Sequence, residues 1–249
     1  MMRALGSCLC IFQLLAVSQA GPGLLIPLYT YPSVSTWEAL KSAASSNPSV
    51  EFVAIVNPNS GPGSDLDSTY VTGIDGLTEV GVKCIGYVRT DYGAVATDTV
   101  TANMDKYTTW YPKISGFFLD EMAHSEGKES YYASLTAHAV ATGKPFTIGN
   151  PGTSTTRKYF DTVNNTVIYE TSKLPQLSAL DLGFPSSGCS MIAYDVAASQ
   201  VNQSYVDNVL QYTSLIYITD DKLDNPYDSL PTYFNQLVDH LRVAITSKH

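Results

Sequence analysis

Eight short apolar runs recur along this chain, each almost continuously hydrophobic instead of alternating with polar residues. They read as strands at Leu24–Tyr31, Glu51–Pro58, Lys83–Thr90, Gly116–Met122, Phe146–Asn150, Thr166–Thr171, Ser190–Asp195 and Leu215–Asp220. Parallel strands buried on both faces have this pattern. The stretches between them read as helices. Ser35 with Glu38 three positions on is a capping signal ahead of Ala39, Leu40, Ala43 and Ala44. Val95–Trp110, Glu129–Ala141, Tyr205–Leu215 and Tyr233–Ile245 carry apolar residues at helical spacing, and Gly143-Lys144-Pro145 stops one of them. Strand–helix alternation with short connections implies right-handed crossovers and a parallel sheet. Eight such units favour a single-domain α/β fold, the closed (β/α)₈ TIM barrel, over an open doubly wound sheet. With 249 residues, 44% of them hydrophobic, the chain has material for one such core.

Residues 1–20 are laid out as a secretory signal peptide. Arg3 supplies the positive start, Cys8 to Val17 the apolar centre and Ser18-Gln19-Ala20 a small-residue cleavage site. The expected mature chain starts at Gly21, leaving residues 21–249 as one barrel domain, secreted or associated with a cell wall. The leader's apolar run is too short to span a bilayer and no second one follows, so no membrane span is expected. The tail from Leu241 to His249 lacks the hydrophobic end of a lipid-anchor signal. The formal charge is −9 for the whole sequence. Losing Arg3 and no acid with the leader makes the balance more negative still, which disfavours nucleic acid as a partner. Of the four cysteines, Cys8 and Cys10 leave with the leader. Cys84 begins the third strand and Cys189 precedes the seventh, on opposite sides of an eight-strand ring, so both are expected free and buried. Asn164-Asn165-Thr166 and Asn202-Gln203-Ser204 are sequons, which makes Asn164 and Asn202 candidate glycosylation sites.

In a barrel the strand tips build the site. Gly116-Phe117-Phe118-Leu119 ends in Asp120 and Glu121, and Val167-Ile168-Tyr169 ends in Glu170. The other tips present Tyr29, Asn57, Tyr87, Arg89, Asn150 and Asp195, with Tyr31, Asp91, Asp220 and Asp221 nearby. Acids, amides and tyrosines together suit a carbohydrate, whose C–H faces lie on aromatic rings and whose hydroxyls bond amides and acids. Two carboxylates are what glycoside hydrolysis needs. Strand alternation puts Asp120 inside if Phe118 points inward, as nucleophile or charge stabiliser. Glu170, beside Tyr169, is then the general acid, and Glu121 orients a partner or binds a substrate hydroxyl or amine. Capping of the following helices is the competing reading of these acids, and for Arg89 it is neutralisation of Asp91 or Asp120. His124, His138 and His240 have no metal-ligand spacing, and no phosphate-binding loop or dinucleotide fingerprint follows a strand. No metal and no cofactor are therefore expected.

At these residues the chain resembles the spherulin-4-like family of secreted fungal and slime-mould proteins. The resemblance rests on Leu25-Ile26-Pro27-Leu28-Tyr29, the loop Val56 to Gly63, Gly86-Tyr87-Val88-Arg89-Thr90, Gly116 to Glu121, and Ile148-Gly149-Asn150-Pro151-Gly152. It implies a (β/α)₈ glycoside hydrolase of the endo-α-1,4-N-acetylgalactosaminidase type, acting on the exopolysaccharide galactosaminogalactan. The family's catalytic acids, an adjacent Asp-Glu pair and a later Glu, match Asp120, Glu121 and Glu170. The expected partner is thus an amino-sugar polymer, bound by a monomer. Two alternatives stay open: a non-catalytic polysaccharide-binding protein of a cell wall or spore coat, and a hydrolase for unacetylated galactosamine.

Overall fold

The structure, a computed structural model, describes residues 21–247; the expected leader and the final pair, Lys248 and His249, lie outside the described residues. Eight parallel strands close into a barrel in sequence order. They are β1 (Gly23–Leu28), β2 (Glu51–Val56), β3 (Lys83–Arg89), β4 (Gly116–Asp120), β5 (Phe146–Gly149), β6 (Asn165–Ser172), β7 (Cys189–Tyr194) and β8 (Leu215–Ile218). β8 pairs with β1 through Gly23↔Leu215 and Leu24↔Ile216, which closes the ring. β1 and β5 end before the apolar runs do, so Tyr29 and Asn150 stand just past the last paired residues.

The helix layer comprises α1 (Ser35–Ser46), α2 (Ser68–Glu79), α3 (Thr97–Trp110), α4 (Glu129–Ala141), α5 (Gln203–Val209) and α6 (Phe234–Thr246). Two crossovers differ from the expected alternation. The links from β5 to β6 and from β6 to β7 make only short 3₁₀ turns at Arg157–Asp161, Leu177–Ala179 and Ser186–Gly188. Pro151, Gly152, Pro175, Gly183, Pro185 and Gly188 punctuate them, and each disfavours an α-helix.

Which strand residues face the barrel interior follows from the helix contacts. A Cβ on Gly86 would lie 2.8 Å from the Tyr107 ring of α3. Gly86 therefore faces the helix layer, and only a glycine lets α3 seat this closely. Phe117 meets the same ring, at 6.4 Å between centroids. By alternation Tyr87, Phe118 and Asp120 point inward. β6 carries an irregularity: its register against β7 shifts between Val167 and Tyr169, leaving Ile168 as the extra residue. A bulge of this kind re-aims every side chain beyond it, here Glu170 included. Cys84 and Cys189 are free and buried, as expected. Among the described residues no helix is long and apolar enough to cross a membrane.

Candidate active site

β4 delivers Asp120 and β6 delivers Glu170 to the C-terminal mouth of the barrel, and Asn150 stands between them. Asn150 Nδ2 donates to Asp120 Oδ1 at 2.8 Å and to Glu170 Oε2 at 2.6 Å. Both amide hydrogens are thereby spent, one on each carboxylate. The Asn150 backbone fixes the side chain: its N–H donates to Leu119 O and its carbonyl accepts from Met122 N. Its Oδ1 accepts from Gly152 N at 3.1 Å.

Each carboxylate has its own tyrosine. Tyr87 donates to Asp120 Oδ2 at 2.5 Å, and Tyr227 donates to Glu170 Oε1 at 2.6 Å. Tyr29 stands edge-on to both rings, with centroids 5.8 Å from Tyr87 and 5.6 Å from Tyr227. Its hydroxyl has no hydrogen-bond partner among the described residues, although both carboxylates lie close enough to raise its pKa. Burial pushes Asp120 above the ordinary carboxylate range; the bonds from Tyr87, the Glu121 backbone and Asn150 oppose that rise, and the Glu121 charge adds to it. Glu170 is also raised by burial, opposed by the bonds from Tyr227 and Asn150 and reinforced by the Asp120 charge. Two acids with raised pKa values on one amide can share out the protonated and ionised states that acid–base chemistry requires.

Glu121 leaves the pair and turns to the rim. Its φ of 49° lies in the left-handed region. Thr90 Oγ1 holds the turn by donating to the carbonyls of Asp120 and Glu121. Arg89 Nε sits 2.8 Å from Glu121 Oε2, an ion contact not aligned as a hydrogen bond. Arg89 also reaches Asp91 Oδ1 at 2.9 Å. Of the two acids weighed for Arg89 in the sequence, Asp91 is the one it contacts, and Asp120 is not.

The remaining candidates divide. Asn57, one residue past the paired Val56, continues β2 at the level of Tyr29 and Tyr87. Its Oδ1 accepts from Gly61 N at 3.1 Å and so shapes the loop beyond β2. Asp195 is not brought to the carboxylates: it pairs with Lys222 at 3.2 Å, and its backbone N–H donates to Asp221 O. It ties the loops after β7 and β8 together. Asp220 likewise holds Thr232, ahead of α6. Asn164 and Asn202 lie elsewhere. Asn164 Oδ1 accepts from Thr147, while Asn202 is exposed and caps α5 through Tyr205 N. Sequence reasoning did not single out Tyr227, which lies on the long loop after β8. Its one signal is position, since a loop leaving a strand at this face can reach over the site.

Two hollows lie at opposite ends of the barrel. One, of about 410 Å³, adjoins the mouth at the β1 and β2 loops and is lined by Tyr31, Pro58, Asp65, Asp67 and Tyr70 among others. Another, of about 330 Å³, is lined by Phe160, Asn164, Phe184 and Gly188, at the opposite end of the strands where the chain enters β6 and β7. Among the described residues no three His, Cys, Asp or Glu side chains gather to hold a metal ion.

In fold the protein is similar to Sph3 of Aspergillus clavatus, whose crystal structure is a complex with GalNAc. The likeness has a TM-score of 0.83 at 24% identity, covering 90% of this chain and 98% of that one. An endo-β-1,4-mannanase from Thermotoga petrophila is more distant, with a TM-score of 0.53 at 9% identity over 94% of this chain and 78% of the other. At these identities the likeness is one of fold. In sequence, the chain is 42% identical over 149 residues to Spherulin-4 of Physarum polycephalum, a match spanning 59% of this chain and 44% of that protein's length. The family model Spherulin4, described as spherulation-specific family 4, matches residues 23–241, from the start of β1 to the last turns of α6. This TIM-barrel protein therefore belongs to the Spherulin4 family.

Proposed function

We propose that this protein is a secreted endo-glycosidase that hydrolyses α-1,4-linked N-acetylgalactosamine in a galactosaminogalactan-type exopolysaccharide. The observation that carries the reading is the single nitrogen of Asn150 bonded to both Asp120 and Glu170. Bonds of 2.8 and 2.6 Å meeting at one atom, even laid end to end, keep the facing carboxylate oxygens within about 5.4 Å. Roughly 5–5.5 Å between carboxyl groups belongs to glycosidases that retain the anomeric configuration, and roughly 6.5–9.5 Å to those that invert it. The close approach of these nearest oxygens favours retention.

Glu170, protonated, gives its proton to the glycosidic oxygen as the C1–O bond breaks. Asp120, ionised, attacks C1 and holds the sugar covalently. Glu170, now the base, takes a proton from water, whose oxygen displaces Asp120 from C1. The assignment of roles rests on strand alternation, which turns Asp120 into the barrel, and on burial together with the Asp120 charge, which raises the pKa of Glu170 as a general acid requires. Glu121, paired with Arg89, bears on a substrate hydroxyl or amine. The choice of sugar rests on family membership and on the GalNAc bound by Sph3 of A. clavatus. Secretion rests on the leader-like residues 1–20.

The test incubates the secreted protein with purified galactosaminogalactan, beside Asp120→Asn and Glu170→Gln. Wild type is expected to release oligosaccharides visible by mass spectrometry, and each variant to lose at least about a hundredfold in rate. Binding by all three proteins with cleavage by none would replace the enzyme with the polysaccharide-binding coat protein.

A further inference from the structure

Beside the carboxylate pair, on the rim formed by the loops after β3 and β4, one aromatic residue is held in a conformation it disfavours. Tyr92 has φ 54° and ψ 31°, the left-handed region that favours glycine. Its ring is exposed at 51% and stands edge-on to His124, 6.0 Å between centroids. Asp91, before it, is also left-handed at φ 50°, and the Glu121 turn it leans on is the third such residue here.

These residues interlock. Tyr92 N–H donates to Glu121 O at 2.6 Å. Lys128 Nζ donates to Gly93 O at 2.8 Å, and Tyr131 donates to Val95 O at 2.8 Å. Bonds from the β4–α4 segment and the first turn of α4 thus fix the β3–α3 loop at Tyr92 and just beyond it. The backbone strain is real, the surroundings maintain it, and the ring it presents packs into no core. A tyrosine placed this way contributes nothing to the fold that glycine would not supply with less strain. Strain sustained at an exposed rim, on a residue bonded to the Glu121 backbone next to Asp120, is characteristic of a functional position.

We infer that Tyr92, with His124 beside it, is an aromatic platform for an outer sugar unit of the polymer. It takes the C–H face of a pyranose ring, while the unit being cleaved sits over Asp120 and Glu170. Because the loop is already fixed, binding orders little new chain, so the ring's contact area is retained as affinity. The inference rests on the glycosidase reading, since it needs a polymer running across the barrel mouth.

The experiment measures galactosaminogalactan binding by calorimetry for the full protein carrying Asp120→Asn, which prevents turnover, and for the same protein with Tyr92→Gly, Tyr92→Ala or Tyr92→Trp added. Thermal unfolding is recorded for each. Tyr92→Gly is expected to weaken the polymer about fivefold to tenfold while the melting temperature stays level or rises. Tyr92→Ala is expected to weaken binding equally without the gain in stability, and Tyr92→Trp to keep the affinity. Undiminished binding by Tyr92→Gly overturns the platform and leaves the glycosidase reading standing. A clear fall in melting temperature for Tyr92→Gly also overturns it, because the ring would then serve the fold. No polymer uptake by the Asp120→Asn parent, together with no cleavage by wild type, overturns both.

Discussion

Asn150 does at the scale of one side chain what usually takes several: it spaces two carboxylates and fixes their orientation. Tyr87 and Tyr227 then distinguish the pair, each stabilising the ionised form of one acid. Removing either bond raises the pKa of its partner further, and the consequences differ. In the proposed mechanism Asp120 attacks in its ionised form, so the acidic limb of the kcat/KM profile rises through its pKa; Tyr87→Phe should move that limb to higher pH. In the same proposal Glu170 acts in its protonated form, so activity falls as pH rises through its pKa; Tyr227→Phe should move the alkaline limb to higher pH. The limbs belong to the coupled pair, and the check is which limb moves further in each variant. At this scale the inward placement of Asp120 was legible, because alternation from Phe118 decides it. The aim of Glu170 was not, because the bulge at Ile168 breaks the alternation that such counting relies on. Tyr227 was hidden for another reason: a loop of Asp, Asn and Pro residues has no period from which a direction can be read.

Strands announce themselves in this chain and helices less so. All eight strands stand where the apolar runs stand, because a buried parallel strand can be built from little else. α2 was not singled out, and its sequence explains why: Gly73 and Gly76 interrupt it, and Thr and Val weaken its helical signal. Those glycines answer to packing. A Cβ on Gly73 would lie 2.8 Å from Pro32 and 2.9 Å from the Trp37 ring of α1. Tertiary contact there overrides local propensity. The same logic gives a prediction at Gly86, where α3 meets β3. Gly86→Ala drives a methyl group against the Tyr107 ring, whose hydroxyl is bonded to Val56 O at 3.0 Å and resists moving. A loss of about 1–3 kcal/mol is expected by urea denaturation. An unchanged midpoint would mean that α3 is not seated on β3 as described.

As a whole, the described chain is a barrel with no disulfide among the described residues and with its candidate site gathered at one end. Burial pushes the Cys84 thiol to about 12 and that of Cys189 to about 11, out of the range where thiolates form. Both thiols should resist a thiol-reactive dye in the native protein and titrate fully once it is unfolded, and a reductant should leave the melting temperature where it was. Fold class and the identities of the two central acids could be read from the sequence, because both follow from strand ends. Their coupling through Asn150 could not, since it joins β4, β5 and β6 in space. The measurement that tests this coupling most directly is the configuration of the first product, followed by proton NMR as galactosaminogalactan is cleaved. Two carboxylates joined by one amide predict that the new reducing ends appear first as the α anomer and only then mutarotate. Initial release of the β anomer would contradict the account, because inversion needs room for a water that the Asn150 bridge does not leave.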